Sequence, residues 1–221
     1  MRVPSGSSSF IFLLFLLSSC SNLNTNNIAP GYRDAFTSVN NYFFGSEDNL
    51  TSEIIKNIPY ASATLKIGRG PKGLVILESI NNDKFHWISA DGIIIVTDIY
   101  GRIHATSGLI NNLEGIETTV ENLKDVNSEI NYTSYYTFSP PRLNLLPVNS
   151  IFSPSISKDE ELLSGTKSLL MVEERVFSKE IGWKRTNQYH IDKDGFIWRS
   201  KQYVTPKLPP FYFEITKKPA F

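Results

Sequence analysis

The feature that most constrains this chain is a succession of short apolar runs, alternating or β-branched, each closed by a tight break. From Tyr60 they read YASATLKI, GLVILESI, KFHWIS, IIIVTDI and RIHATS, broken at Gly68 to Gly73, Asn81-Asn82-Asp83, Ala90-Asp91-Gly92 and Tyr100-Gly101. Runs of this kind are strands punctuated by turns. Breaks so short exclude parallel neighbours, which need crossovers of about a dozen residues. Strands resume at SLLMVEERVFS, GWKRTNQYHI, FIWRSKQYV and FYFEIT. The expectation is a mainly β domain, an antiparallel meander of about nine strands curling into a barrel-like sheet around one core.

Helical signals are few. Tyr32, Ala35, Phe36, Val39, Tyr42 and Phe43 form the stripe of an N-terminal amphipathic helix that Gly45 stops. Thr51 or Ser52 can cap a short turn ending before Pro59. Ile116, Val120 and Leu123 sit at spacings that allow a helical turn or two within Leu113 to Asn127, and the proline-punctuated stretch Ser139 to Ser157 reads as a long irregular excursion.

Cys20 is the only cysteine among 221 residues, which excludes an intrachain disulfide and a multi-thiolate metal site. It follows an eight-residue apolar run, Phe10 to Leu17, far short of the roughly 20 residues that cross a bilayer as a helix. With Arg2 ahead of it and Ser18 and Ser19 behind, that run is laid out as a secretory signal. Leu17-Ser18-Ser19-Cys20 resembles the bacterial lipobox. That resemblance implies cleavage after residue 19, acyl chains on Cys20 and, with Ser21 in the next position, an outer-membrane address. Residues 20–31 then read as a lipidated flexible tether and 32–221 as a single β-rich domain. Lysine plus arginine at 22 against aspartate plus glutamate at 22 leaves no basic excess for phosphates, so nucleic acid is disfavoured as a partner.

Motifs of catalysis and ligand binding fail on context. Gly68-Arg69-Gly70-Pro71-Lys72-Gly73 has dinucleotide-loop spacing, but a strand follows where a helix must open, so it reads as a hairpin loop. Asp192-Lys193-Asp194-Gly195 begins like a calcium loop and lacks its later ligands; Asp-Gly between two strand runs signals a hairpin. His86, His104 and His190 share no ligand spacing and read as satisfied, half-buried side chains. No nucleophile elbow surrounds a serine. No catalytic residue, metal or cofactor is expected.

Ile58-Pro59-Tyr60-Ala61-Ser62, Gly68-x-Gly70-Pro71, Trp87-x-Ser89-x-Asp91-Gly92 and Gly101-Arg102-x-x-x-Thr106-x-Gly108-Leu109 resemble, in order and spacing, the GfcB/YjbF family of bacterial lipoproteins. Asn187-Gln188-Tyr189, Asp192, Gly195, Ile197-Trp198-Arg199-Ser200-x-Gln202 and Pro206-x-Leu208-Pro209-Pro210 resemble its closing signature. The resemblance implies a barrel-like fold and a non-catalytic outer-membrane lipoprotein on the periplasmic face, accessory to production or secretion of capsule or exopolysaccharide. The chain departs from the family pattern at Asp192-Lys193-Asp194-Gly195, where Asp-Pro-x-Thr-Gly is usual, and at His190, where Trp is usual.

The expected partners are the membrane, through the lipid, other proteins of a polysaccharide secretion system, and polysaccharide itself. The alternatives are a lipid or lipoprotein carrier with an apolar cavity and, further off, a polysaccharide-modifying hydrolase. Strand alternation puts Trp198 inward and Arg199 and Lys201 outward. Arg199, Lys201, Arg102 and Asp91 are therefore the expected partner or polymer surface, and Trp87, Trp198 and Tyr189 the expected core signature.

Overall fold

The computed structural model of the chain describes residues 50–220 except 121, 125 and 127. One short helix, α1 (Ser52–Lys56), leads into β1 (Ser62–Ile67), β2 (Lys72–Asn81), β3 (Lys84–Ser89), β4 (Ile94–Asp98) and β5 (Ile103–Ser107). Then come β6 (Asn112–Glu117), β7 (Ile130–Ser139), β8 (Leu143–Leu162) and β9 (Gly165–Ser178), followed by β10 (Trp183–Ile191), β11 (Ile197–Gln202) and β12 (Phe211–Lys217). The sheet runs β5-β4-β3-β2-β1-β12-β11-β10-β9-β8-β7-β6, with every ladder antiparallel. Only the β1–β12 pairing is non-sequential, and it joins the two halves of the meander. The end strands β5 and β6 meet where the Leu113 amide donates to Thr106 Oγ1 at 2.9 Å, so the sheet is a nearly closed barrel.

Alternation decides which side chains fill it. Ala63 and Leu65 from β1, Val75 from β2, Phe85 and Trp87 from β3, and Phe211, Phe213 and Ile215 from β12 form the principal core. Trp87 lies edge-on to Phe85 and Phe213 at centroid distances of 6.1 and 5.7 Å, and its indole N–H donates to Thr97 Oγ1 at 3.1 Å. Burying a large apolar side chain stabilises by about 1.5–3 kcal/mol. The β2 run is continuously apolar because both its faces are covered. Leu74 and Ile76 point outward and are buried with Ile55, Ile58 and Ile88.

The β8–β9 hairpin is the longest element. Its register shifts between Pro154 and Ser157, and pairing then continues from Ser157↔Leu170 to Leu162↔Gly165. On β9, β10 pairs only with Leu170 to Ser178, so the tip of the hairpin leaves that neighbour. It lies against the outer face of β11 and β12: the Leu163 amide donates to Glu214 Oε1 at 2.7 Å, and the Lys167 ammonium sits 3.9 Å from the Trp198 ring centroid.

Three strands exceed the sequence expectation. Ser139 to Ser157 is not an irregular excursion, because Pro147 is accommodated opposite Tyr135 and Pro154 falls at the bulge. Among the described residues of Leu113 to Asn127 none is helical: β6 takes the first of them, and Val120, Leu123 and Val126 cover a second core of Phe152, Val172, Tyr189, Ile191 and Ile197. Thr51 caps α1 as expected, accepting from the Ile54 amide at 3.4 Å. The stripe Tyr32 to Phe43 and the lipobox lie outside the described residues. Among the described residues no helix is long and apolar enough to cross a membrane.

Candidate functional site

Strand β9 carries a carboxylate into the barrel. Val172, Glu174 and Val176 share its inward face, and Glu174 is fully buried. A buried carboxylate is tolerated only if its lone pairs are met. Oε1 accepts from Arg102 Nη2 at 2.8 Å and Ser150 Oγ at 2.7 Å, and Oε2 accepts from Asn187 Nδ2 at 2.9 Å and Tyr189 OH at 2.6 Å. The β9–β10 ladder sets Asn187 opposite Glu174, while Arg102 reaches it from the turn between β4 and β5.

Burial opposes the charge on Arg102, but Glu174, with smaller contributions from Tyr189, Tyr136 and Asp98, outweighs it and holds the guanidinium above its ordinary pKa. Burial and the Glu174 charge together push the Tyr189 and Tyr136 hydroxyls upward, so both remain protonated. Gln202 and Asn187 tie the centre to the backbone. The Ile103 amide donates to Gln202 Oε1 at 3.1 Å, and the Tyr203 amide to Asn187 Oδ1 at 2.7 Å. The guanidinium also lies 5.5 Å from the Phe152 ring centroid, and its Nη1 has no partner among the described residues. Beside it is a cavity of about 10 Å³, room for one water at most. Four donors saturate Glu174, so this centre holds the strands together and offers no free carboxylate for acid–base chemistry.

Arg102 is thus not a surface residue. Its side chain is 3% exposed, because a carboxylate 72 positions away supplies the charge that makes burial tolerable. Trp87 and Tyr189 are fully buried. Trp198 is only half-buried. The register shift at His190/Ile191 places Ile197 opposite Ile191 and Arg199 opposite His190, so alternation breaks at Trp198. The Trp198 indole donates to Asp192 Oδ2 at 2.9 Å, and Asp192 Oδ1 accepts from the Asp194 and Phe196 amides, which makes the Asp-Gly segment a hairpin turn. Asp91 is exposed in the β3–β4 turn beside Ser89, separated from β11 by three strands.

Outside the barrel, a groove of about 370 Å³ runs over β1, β12 and β11, lined by Thr64, Lys66, Lys72, Arg199, Tyr212 and Glu214 among others. Arg199 is fully engaged there: Nε donates to Glu214 at 3.0 Å, Nη1 to Glu160 at 3.3 Å and Nη2 to the Glu161 carbonyl at 2.6 Å. Hydrogen bonding from Lys158, helped by the charges of His190 and Arg199, holds Glu160 below the ordinary carboxylate range. Lys201 projects on the same face, its ammonium 5.8 Å from the Tyr203 ring centroid. Glu174, Lys66 and Lys72 carry no sequence signal of a site, although the phase of Val172-x-Glu174-x-Val176 does turn Glu174 toward the core; Tyr212 is one of the strand aromatics whose sequence context allows either core packing or stacking on a sugar.

The described residues thus form a nearly closed antiparallel barrel cross-tied by a buried ion pair. Residues 34–216 match the family described as "Group 4 capsule polysaccharide lipoprotein gfcB, YjbF", and the chain belongs to that family. The "Uncharacterized lipoprotein YjbF" of Escherichia coli (strain K12) is 25% identical over 166 residues, covering 70% of this chain and 74% of the relative. The crystal structure of the hypothetical lipoprotein YmcC from Escherichia coli (K12) superposes with a TM-score of 0.71 at 19% identity, over 85% of this chain and 97% of that one, and shows a shared fold. Of the family-like residues, Arg102, Asn187, Tyr189, Ser200 and Gln202 all belong to the buried polar centre or to the hydrogen bonds that brace it.

Proposed function

We propose that this protein is a non-catalytic outer-membrane lipoprotein, tethered through Cys20 on the periplasmic face, that assists production or secretion of capsule or exopolysaccharide. The observation carrying this reading is the match of residues 34–216 to a family of capsule polysaccharide lipoproteins. The lipobox-like Leu17-Ser18-Ser19-Cys20 supports the anchor. Three acyl chains bury far more methylenes than a single marginal one, so attachment is lasting. Confinement near the membrane raises local concentration, and weak contacts with export partners then suffice. An acyl carrier would keep an open apolar lumen; here Trp87, Phe213 and the Glu174 network occupy the interior.

The test is deletion of the gene in a capsule-forming host, complemented by wild type or by Cys20→Ala. Surface polysaccharide, palmitate incorporation and membrane fractionation are then measured. Wild type restores polymer and takes up palmitate, while Cys20→Ala does neither and leaves the membrane fraction. Normal polymer in the deletion strain overturns the accessory role, and a membrane-bound, unlabelled Cys20→Ala protein overturns the anchor.

A further inference from the structure

One register row crosses four strands of the outer face. Lys66 on β1 opposes Lys72 on β2 and Tyr212 on β12, and Tyr212 opposes Lys201 on β11. Directly opposed residues share a face of the sheet. With strands about 4.8 Å apart, Lys72, Lys66, Tyr212 and Lys201 span about 14 Å. Tyr212 is 42% exposed, whereas Phe211 and Phe213 beside it are buried.

The charges in this row are uncompensated. None of the three lysines has an ion pair among the described residues. Glu214, the carboxylate of the groove, is already taken by Arg199 and the Leu163 amide. Like charges directly opposed across a ladder destabilise it, so the Lys66–Lys72 pair costs the fold stability, and no ion pair among the described residues offsets it. An exposed ring between cations is suited to a ligand that alternates flat apolar faces with negative charge. A sugar ring offers its C–H face to a phenol, and carboxylate or phosphate substituents on flanking sugars reach the lysines.

We infer that the row Lys72–Lys66–Tyr212–Lys201 is a binding track for a segment of anionic polysaccharide, with one sugar stacked on Tyr212. The inference rests on the accessory reading for its biological setting. Its occupant is a chain because Lys72, Lys66 and Tyr212 line a groove shared with Arg199 and Glu214, over which the β8–β9 hairpin lies, while Lys201 continues the row beyond it, a shape that fits a strand-like polymer better than a planar membrane.

The test uses the full lipidated chain in detergent micelles and two fluorescent probes, hexagalacturonate, with a carboxylate on every ring, and neutral maltohexaose. The charged probe binds, increasingly weakly as salt rises, and the neutral one does not. Lys66→Glu/Lys201→Glu weakens binding by about tenfold or more, a loss of about 1.4 kcal/mol per factor of ten. Tyr212→Ala weakens it severalfold, and Lys179→Glu in the distant β9–β10 turn leaves it unchanged, with circular dichroism melts confirming that each variant is folded. Equal binding by the lysine variants, or equal binding of both probes, overturns the track. So does a loss confined to phosphatidylglycerol vesicles with hexagalacturonate binding intact, which would assign the row to lipid. Export and binding are scored separately: a deletion strain that exports normally overturns the accessory role without touching the track.

Discussion

Arg102 and Glu174 meet at 2.8 Å inside the barrel, with side-chain exposures of 3% and 0%. Removing one partner leaves a buried charge unpaired, and such losses run to about 3–5 kcal/mol. Arg102→Ala and Glu174→Ala are each expected to destabilise the domain by that order. The combined Arg102→Ala/Glu174→Ala variant is expected to cost less than the two single losses added together. Urea unfolding followed by far-ultraviolet circular dichroism checks this, and simple additivity would show that the two groups are energetically independent.

Trp87 and Trp198 should differ in the same assay. Trp87 has no exposed surface and is packed edge-on against Phe85 and Phe213, so Trp87→Ala is expected to cost about 3–5 kcal/mol. Trp198→Ala is expected to cost clearly less, because the ring lies half-exposed under Lys167, and Asp192 keeps its two amide donors when the indole goes. Equal losses would mean that the register shift does not decide the burial of Trp198.

These two contrasts mark what the sequence could convey. KFHWIS is readable to its ends, because its alternation is local and the Asn-Asn-Asp break before it is a turn, in which Asn82 and Asp83 take positive φ values. Strand β8 was hidden by its prolines, which a ladder tolerates only at edges or irregularities such as the Pro154 bulge. The inward position of Arg102 depends on Glu174, which no local pattern near Arg102 announces. For Trp198, the register shift beside it limits a period-two argument that holds for Ser200 and Gln202: the ring packs against the principal core but stays half-buried. The outer lysine row needs the β1–β12 pairing, which joins residues about as far apart as the domain allows.

Gly101 is expected to resist substitution. Its φ is +99°, and an added Cβ would lie 3.0 Å from the Ile197 carbonyl oxygen and 3.2 Å from Ile197 Cβ. The next-door contact is rigid, since the Ile197 amide donates to the Tyr100 carbonyl at 2.6 Å. Gly101→Ala therefore combines a left-handed backbone with a backbone clash and is expected to cost about 1–3 kcal/mol. Gly182, also at positive φ but with open space around it, is the control, and its alanine variant should lose less in a thermal melt.

The last expectation concerns acid. His104 Nε2 lies 3.1 Å from Asp98 Oδ2, both largely buried, and Asp98 Oδ1 also accepts from the Tyr100 and Arg102 amides. Burial lowers the imidazole pKa; Asp98 opposes this, while the charges of Arg102 and Lys84 reinforce it. His190 is lowered too, by burial against the pull of Glu160. A histidine whose folded pKa is depressed binds its proton more readily in the unfolded chain. Its stabilising contribution is complete above the unfolded value of about 6.5, declines as the pH falls below it, and is fully lost at the folded value. The melting temperature is therefore expected to fall between pH 7 and pH 5. His104→Gln, whose amide can still donate to Asp98, should flatten that slope, and His104→Gln/His190→Gln should flatten it further. Carboxylates such as Glu160, held below their ordinary range, contribute only at lower pH, so a slope between pH 7 and pH 5 that survives in the double variant would assign the acid sensitivity to groups other than these two imidazoles.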